Sequence, residues 1–209
     1  MVAFRHVLSA VTSVAWHIVI ANGEECSSTT FPACLPPVDI LRTDSVSDWP
    51  SQDDVELFAE QLTGTVAEPG SYDYRLYSYN ARTNTPRPSF VVFPESTEDV
   101  THALAFAQLY GMRVSVSSTG HHQDVRNLVD NGLHIDMSRF TSVEVDVANK
   151  LAKVGTGAYF GIIVAAIAEA SDDTLVVASG TDASVGPYGW TVGGGYGRLT
   201  RTYVHNIAP

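Results

Sequence analysis

Short apolar strands alternate with apolar helices through the second half of the chain, and this alternation limits the possible folds more than any other feature. Strands are predicted at residues 89–93, 113–116, 132–136, 143–147, 151–154 and 174–178. Helices are predicted from Ser96 to near Gly111 and from Tyr159 to Ala170. A short break separates the strands at 143–147 and 151–154, which predicts a hairpin. The order of these elements indicates a mixed helix and strand fold.

The helix that begins after Ser96 carries a recognisable start. Ser96-Thr-Glu-Asp99 resembles a capping box, with Asp in the position where Glu is usual. A shorter helix is predicted within residues 51–64, which have acidic residues near the start and Gly64 at the end. The apolar face of this shorter helix consists of Val55, Leu57, Phe58 and Leu62.

The N-terminus has the composition of a secretory signal peptide. Arg5 and His6 give a weakly positive start, residues 7–21 are mostly apolar, and small residues precede a cleavage point after Gly23. We therefore predict a signal peptide at residues 1–23 and a secreted protein without membrane contact after cleavage. An uncleaved anchor and a buried helix are the alternatives. Residues 24–84 are predicted to be a lead-in that contains the short helix.

Cysteine content and net charge narrow the choice of partners. Cys26 and Cys34 are the only cysteines, and in a secreted protein they are expected to form a disulfide, with two free thiols as the alternative. A metal site is not expected beside them, because no histidine lies nearby. The net charge of −11 argues against a nucleic-acid partner. It does not argue against a nucleotide cofactor, because backbone N–H groups can hold a pyrophosphate.

Two loops rich in small residues carry the candidate chemistry. Loop one, residues 117–122, reads Ser-Ser-Thr-Gly-His-His and directly follows a predicted strand, and loop two, residues 179–197, is rich in glycine. Small residues after a strand allow backbone N–H groups to approach phosphate oxygens closely. Neither loop contains the G-x-x-x-x-G-K-[ST] sequence of P-loop NTPases or a strand-anchored G-x-G-x-x-G, so those two nucleotide sites are not predicted.

The order of motifs along the chain is similar to that of a known family. A strand ending in proline is followed by Ser-Thr-Glu-Asp-Val, Ser-x-Gly-His, Ile-Asp-Met-Ser, Val-Gly-Thr-Gly-Ala and a glycine-rich segment. This series resembles the PCMH-type FAD-binding domain of the vanillyl-alcohol oxidase superfamily, in its berberine-bridge-enzyme-like and oligosaccharide oxidase branch. The resemblance implies an α+β fold, made of two small α/β subdomains at residues 85–209 and C-terminally incomplete.

The resemblance also implies which residues contact the cofactor. In the family, the histidine that falls on His121 bonds to the 8α carbon of FAD, and a neutral imidazole nitrogen is a competent nucleophile for that bond. The residues alone leave open a surface histidine pair, or a metal site, formed by His121 and His122. The residues expected to contact FAD are Ser117, Ser118, Thr119, Gly120, His121, His122, Thr181, Asp182, Val185, Gly186, Gly189 and Trp190.

Three positions of loop two bear on the expected chemistry. Asp182 stands where the branch with doubly attached flavin has a cysteine, so the resemblance implies FAD attached through His121 alone. Trp190 replaces a histidine of plant members, and its indole can donate one hydrogen bond but cannot carry a charge. Val185 falls where family members line the approach of oxygen. A valine there resembles the oxidases, and a simply packed valine is the alternative.

The function implied by the resemblance is that of a secreted FAD-dependent oxidoreductase. It would transfer hydride from an alcohol or sugar-like small molecule to FAD, with molecular oxygen as the acceptor. Family members are considerably longer and carry the substrate domain and the catalytic base in their later part, so we expect a truncated chain and assign no catalytic residue. A secreted relic of the flavoprotein fold that binds without catalysis is the alternative.

Overall fold

The computed structural model describes residues 15–19, 49–74, 86–122 and 128–199, which form two sheets with separate apolar cores. The strands are β1 (Ala15–Val19), β2 (Thr65–Ala67), β3 (Phe90–Phe93), β4 (Val114–Ser117), β5 (Leu133–Asp136), β6 (Val143–Asp146) and β7 (Leu151–Gly155). The helices are α1 (Gln52–Glu60), α2 (Thr97–Leu109), α3 (Phe160–Ala170) and α4 (Pro187–Val192), and a 3₁₀ turn follows β5 (Met137–Arg139). The predicted mixed fold of two subdomains is therefore confirmed.

The first subdomain is built on a four-stranded sheet of order β2-β3-β5-β4. Strands β3, β5 and β4 run parallel, and β2 pairs antiparallel with β3 at one edge. All four residues of β5 are buried, as expected for a central parallel strand. Helices α1 and α2 meet through Phe58 and Phe106, whose stacked rings have centroids 4.2 Å apart. Helix α1 and strand β2 thus belong to the first core, although both precede residue 85.

The predicted capping box of α2 is present, and its aspartate also bonds to the turn before β2. Ser96 Oγ accepts from the Asp99 N–H at 3.1 Å, and Asp99 accepts from the Ser96 N–H at 3.2 Å. Asp99 also accepts from the N–H groups of Thr63 and Gly64, each at 2.9 Å. Burial alone would raise the pKa of Asp99, but backbone bonds from Glu95, Thr63 and Gly64 outweigh it and lower the pKa. One buried carboxylate therefore ties α2 to the turn before β2.

The second subdomain is a three-stranded antiparallel sheet of order β1-β7-β6, with α3 packed against it. The predicted hairpin is confirmed, with Val143 of β6 opposite Val154 of β7. Ile163 and Ile167 of α3 are fully buried against the sheet. The other buried residues of this core are Ala152, Val154, Ala158, Phe160 and Val177.

The prediction of a strand at residues 174–178 is wrong. This segment has no regular secondary structure and pairs with no strand among the described residues. The N–H of Thr174 donates to the Ser171 carbonyl and the N–H of Leu175 to Ser171 Oγ, so the segment begins by folding back on α3. Val177 is buried in the second core, whereas Val176 is 61% exposed. One side of this apolar segment therefore packs against the second core, although the segment pairs with no described strand.

Strand β1 lies inside the predicted signal peptide. It pairs with β7 from Ala15 opposite Gly155 to Val19 opposite Leu151. Cleavage after Gly23 would remove β1 and leave that edge of β7 without a partner strand. The signal peptide stays a prediction. Cys26 and Cys34, with their predicted disulfide, lie outside the described residues. Across the described ranges, no helix combines the length and apolar character needed to cross a membrane.

Candidate cofactor site

The two loops singled out in the sequence lie side by side. The N–H of Gly186 in loop two donates to Thr119 Oγ1 in loop one at 2.9 Å. His121 Nε2 of loop one lies 2.8 Å from Ser184 Oγ of loop two. Gly186 permits the contact, because a Cβ atom at this position would lie 2.6 Å from Ser118 Oγ. Side-chain bonds therefore join residues that are 63 and 67 positions apart in the chain.

A cleft of about 370 Å³ opens beside loop one. Its walls come from the ends of β3, β4 and β5 in the first subdomain and from the segment between β7 and α3 in the second. Within loop one the backbone turns at Gly120, whose φ of 74° lies in the left-handed region that favours glycine. The residues that line the cleft are Phe93, Ser117, Ser118, Thr119, Gly120, Asp136, Ser138, Thr141, Gly157 and Tyr159.

A buried histidine supports the cleft from inside the first sheet. His134 lies on β5 and is 1% exposed. Its Nδ1 is 2.8 Å from Ser115 Oγ and its Nε2 is 2.9 Å from Ser117 Oγ, both on the neighbouring strand β4. Burial lowers the pKa of His134 to about 4, so the ring is neutral at neutral pH. A neutral ring donates through one nitrogen and accepts through the other, so His134 donates to one of the two serines and accepts from the other.

A buried carboxyl group faces the same cleft. Asp136 ends β5, and its Oδ1 accepts from the N–H of Ser138 at 2.9 Å to cap the 3₁₀ turn. Burial raises the pKa of Asp136, and the hydrogen bonds from Ser138 and the charge of Arg139 oppose the rise only in part. Asp136 can therefore offer a hydrogen-bonding carboxyl group to a ligand, beside the Ser138 side chain that also lines the cleft.

The Val-Gly-Thr-Gly-Ala segment, residues 154–158, starts at the end of β7 and joins the two subdomains. The N–H of Gly157 donates to the Phe140 carbonyl at 2.8 Å. A Cβ atom at Gly157 would lie 2.1 Å from the Met137 carbonyl oxygen, so only glycine allows this approach. Ser118 Oγ donates to the Thr156 carbonyl and brings loop one against the same segment. Thr156 Oγ1 is buried and has no hydrogen-bond partner within the described part of the chain, so it can bind a polar ligand atom.

Loop two is fixed by the start of α3. The N–H of Phe160 donates to the Val185 carbonyl and the N–H of Gly161 to the Ala183 carbonyl, both at 2.9 Å. These donors belong to the first turn of α3, where no side chain caps the helix. The helix start therefore binds loop two and does not form an open anion site. Val185 itself is partly buried against the second core.

Trp190 lies on α4, a helix that the sequence did not predict within the glycine-rich loop. Its ring meets that of Phe160 edge to face, with centroids 5.1 Å apart and an interplanar angle of 85°. Its Nε1 donates to the Tyr196 carbonyl at 2.9 Å. The single hydrogen-bond donor of the indole is therefore used within loop two.

The remaining predicted residues take different positions around the cleft. Asp182 is exposed and accepts hydrogen bonds from Ser184. His122, Thr181 and Gly189 are exposed and do not line the cleft. Sequence reasoning missed His134 and Ser184, together with the lining residues outside loop one. The end of a predicted strand at Asp136 and the Gly-Thr-Gly sequence were the available indications of that part of the cleft.

The groups in the cleft fit a dinucleotide such as FAD. Thr119 Oγ1 lines the cleft, accepts from Gly186 and keeps its own hydrogen to donate. Hydroxyl and backbone N–H groups of this kind bind phosphate and ribose oxygens. Among the described residues, no group of three or more His, Cys, Asp or Glu side chains could hold a metal ion.

Comparisons with known proteins agree with this geometry. Residues 88–208 match the FAD binding domain family. The chain is 34% identical to berberine bridge enzyme-like 8 of Arabidopsis thaliana over 125 residues, which are 58% of this chain and 24% of that protein. It superposes on 6-hydroxy-D-nicotine oxidase from Arthrobacter nicotinovorans with a TM-score of 0.62 and 27% identity, covering 69% of this chain and 32% of the other.

A further solved structure shares the fold. Glucooligosaccharide oxidase from Acremonium strictum, which carries 6-S-cysteinyl, 8α-N1-histidyl FAD, matches with a TM-score of 0.65 and 24% identity over 73% of this chain and 32% of that chain. The chain thus spans a third or less of the length of the relatives it matches. The family match covers more than half of the chain, and the chain therefore belongs to the FAD binding domain family, with FAD-linked oxidoreductases and berberine bridge enzyme-like proteins among its relatives.

Proposed function

We propose that this chain binds FAD in the cleft beside loop one and attaches it covalently through His121, as part of a secreted oxidoreductase. The observation that carries the proposal is the junction of the two loops, where His121 is held by Ser184 next to a cleft lined by hydroxyl groups. Glucooligosaccharide oxidase supports the histidyl bond, since its FAD is linked to a histidine and to a cysteine. Asp182 cannot form a cysteinyl bond, so the proposal has one covalent bond.

Several groups of the chain would hold the cofactor. Thr119 would bind phosphate oxygens through its hydroxyl, and Ser118 and Gly120 through backbone N–H groups. Asp136 would bind a ribose hydroxyl through its carboxyl group. When bound, FAD supplies a two-electron acceptor for hydride from a substrate. The chain would orient the bound FAD. Phe93 and Tyr159 would form a wall of the cleft that excludes water from it.

The covalent bond requires a defined exchange of atoms and electrons. The bond formed joins an imidazole nitrogen of His121 to the 8α carbon of FAD, and the bonds broken are one C–H at that carbon and one imidazole N–H. Two protons and two electrons leave in total, and molecular oxygen takes them to give hydrogen peroxide. The part of His121 is that of a neutral nucleophile that then releases its proton.

The proposed substrate is a small alcohol or a sugar-like molecule, with molecular oxygen as the electron acceptor. Two solved structures that share the fold, a glucooligosaccharide oxidase and a chitooligosaccharide oxidase, support the sugar-like class. Val185 supports oxygen as the acceptor, since the resemblance places it at the approach of oxygen to the flavin. Secretion would follow from the signal peptide proposed at residues 1–23.

The test is to incubate the full 209-residue chain with FAD and to measure both binding and attachment. We expect micromolar or tighter binding by fluorescence titration, and a yellow colour that survives acid precipitation. The His121→Ala variant should still bind FAD but lose the acid-stable colour. A folded chain that binds no FAD would contradict the proposal and favour a non-catalytic binding protein.

A further inference from the structure

We propose that Arg139 is a positioning residue for FAD, which holds the Phe93 ring in place at the wall of the cleft before the cofactor binds. This inference rests on the function proposed above and deepens it. The described residues that line the cleft include Phe93 but not Arg139. The guanidinium carbon of Arg139 lies over the Phe93 ring, 5.5 Å from its centroid. Arg139 would therefore act on FAD through a side chain that contacts it.

The guanidinium group of Arg139 is held at two further points beside the ring. Its Nη1 donates to Glu95 Oε1 at 2.5 Å, and its Nη2 donates to Thr65 Oγ1 at 3.0 Å. Glu95 follows Phe93 by two positions in the chain. Thr65 stands directly opposite Phe93 where β2 pairs with β3. All three contacts of the guanidinium group therefore lie at the end of β3 that carries the ring.

The backbone from which Arg139 extends is itself fixed beside the cleft. Arg139 is the last residue of the 3₁₀ turn, and its neighbour Ser138 lines the cleft. The carbonyl of the next residue, Phe140, accepts from the Gly157 N–H at 2.8 Å, in the segment that joins the two subdomains. Arg139 thus connects the wall of the cleft formed by Phe93 to the wall formed by the turn.

The shape of the arginine side chain suits this position. A planar guanidinium group can donate from two nitrogens to two different acceptors, whereas the ammonium group of a lysine is a compact point charge. A cation within about 6 Å of a ring centroid is attracted to the face of that ring. Arg139 combines both interactions, since it bridges Glu95 and Thr65 while its guanidinium carbon lies over the Phe93 ring.

The contribution of Arg139 to the stability of the fold is expected to be small. Its side chain is 35% exposed and that of Glu95 is 46% exposed, and ion pairs this exposed add little to the free energy of unfolding. The effect on FAD binding is different, because a ring that is already held loses little conformational freedom when a ligand binds. Without Arg139, the binding of FAD would have to order the Phe93 side chain as well.

The experiment is a double-mutant cycle for FAD affinity in the full chain, with Arg139→Met, Phe93→Leu and the combination of both. The reference chain and all variants carry His121→Ala, so that FAD binds reversibly and its dissociation constant can be measured by fluorescence titration. The matched control is Lys153→Met, because Lys153 forms an exposed ion pair with Glu144 at 3.6 Å in the β6–β7 hairpin. Urea denaturation gives the stability of each chain, and NMR of the ¹³C-labelled, FAD-free chain gives the χ1 rotamer populations of Phe93.

We expect Arg139→Met to weaken FAD binding about three- to tenfold, the effect of ordering one side chain on binding. In the Phe93→Leu background the same substitution should change the dissociation constant by less than about twofold, because no ring remains for Arg139 to hold. Phe93 should occupy one χ1 rotamer in the reference chain and several in Arg139→Met. Lys153→Met should bind FAD like the reference chain. If Arg139→Met does not fold, Arg139→Gln takes its place in the cycle with the same expectation.

The outcomes separate this inference from the proposed function. Unchanged FAD affinity in Arg139→Met, or a Phe93 ring that keeps one rotamer there, would overturn the positioning role and leave FAD binding standing. A loss that persists in the Phe93→Leu background would also overturn it, because Arg139 would then act on FAD through its own charge. An equal loss in Lys153→Met would do the same, since the effect would not be specific to the cleft. A reference chain that binds no FAD would overturn the proposed function and this inference together.

Discussion

Loop one lines the cleft and loop two bonds to loop one, but the two loops are held in different ways. Loop one is held by side chains, with Ser117 bonded to the buried His134 and Ser118 bonded to the Thr156 carbonyl. Loop two is held by its backbone, whose carbonyls accept from the start of α3. In a loop held by backbone hydrogen bonds, a side chain can be substituted while the backbone keeps the same path. The side chain at position 182 can therefore change while the backbone bonds that hold loop two remain.

The largest expected effect comes from residues 154–158, which join the two subdomains and bond to Ser118 of loop one. In Gly157→Ala the new Cβ atom would lie 2.1 Å from the Met137 carbonyl oxygen, which belongs to the backbone and cannot rotate away. We expect a loss of about 3 kcal/mol or more in the free energy of unfolding, measured by urea denaturation. Gly189→Ala in α4 is the control, since nothing lies within 4 Å of its added Cβ atom. Equal stability of the two variants would show that the subdomains do not meet at Gly157.

The side-chain support of loop one predicts a dependence of stability on pH. Burial lowers the pKa of His134 from 6.5 to about 4, so between these values the unfolded chain binds a proton that the folded chain does not. The contribution is fully present above pH 6.5 and is lost as the pH falls toward 4. The loss should approach about 3 kcal/mol, the energy that corresponds to this change in pKa.

Variants of two histidines isolate this contribution. His134→Gln replaces the ring with a neutral amide and should flatten the change in unfolding free energy between pH 7 and 4.5. His102→Gln on α2 is the control, because His102 is exposed. A wild-type pH profile in His134→Gln would mean that His134 is not the titrating group. Asp99 acts in a lower range, since its pKa is lowered from 3.8 and its contribution is lost only as the pH falls below that value.

The smallest expected effect lies in loop two. Trp190→Phe removes the hydrogen bond from Nε1 to the Tyr196 carbonyl but keeps a ring against Phe160. We expect a loss of about 1 kcal/mol in unfolding free energy and no more than about a twofold change in FAD affinity. A large loss of affinity with unchanged stability would instead mean that the indole contacts the cofactor.

Local chemistry made much of the fold predictable from the sequence. The capping box at Ser96 and Asp99 is a contact between residues three positions apart, so it can be read directly. The buried strand β5 and the β6–β7 hairpin follow from short runs of apolar residues. The strand predicted at 174–178 failed because alternation of apolar residues reports one-sided packing and does not show a partner strand. Helix α4 was missed because its glycines suggested an irregular loop, although Pro187 stands at its start.

The contacts that organise the site were less accessible to sequence reasoning. His121 and Ser184 are 63 positions apart, and nothing local links them. His134 stood within an apolar strand, where only the neighbouring strand shows that both of its nitrogens meet serines. Small residues after predicted strands indicated the two loops and the resemblance to a family supplied His121, but the supporting residues depend on tertiary packing.

The measurement that tests the central claim most directly is the intact mass of the full chain after incubation with FAD and denaturation, followed by peptide mapping. We predict a single adduct of one FAD less two hydrogens, located on the peptide that contains His121 and absent from His121→Ala. An unmodified mass, or an adduct on a different residue, would contradict the account.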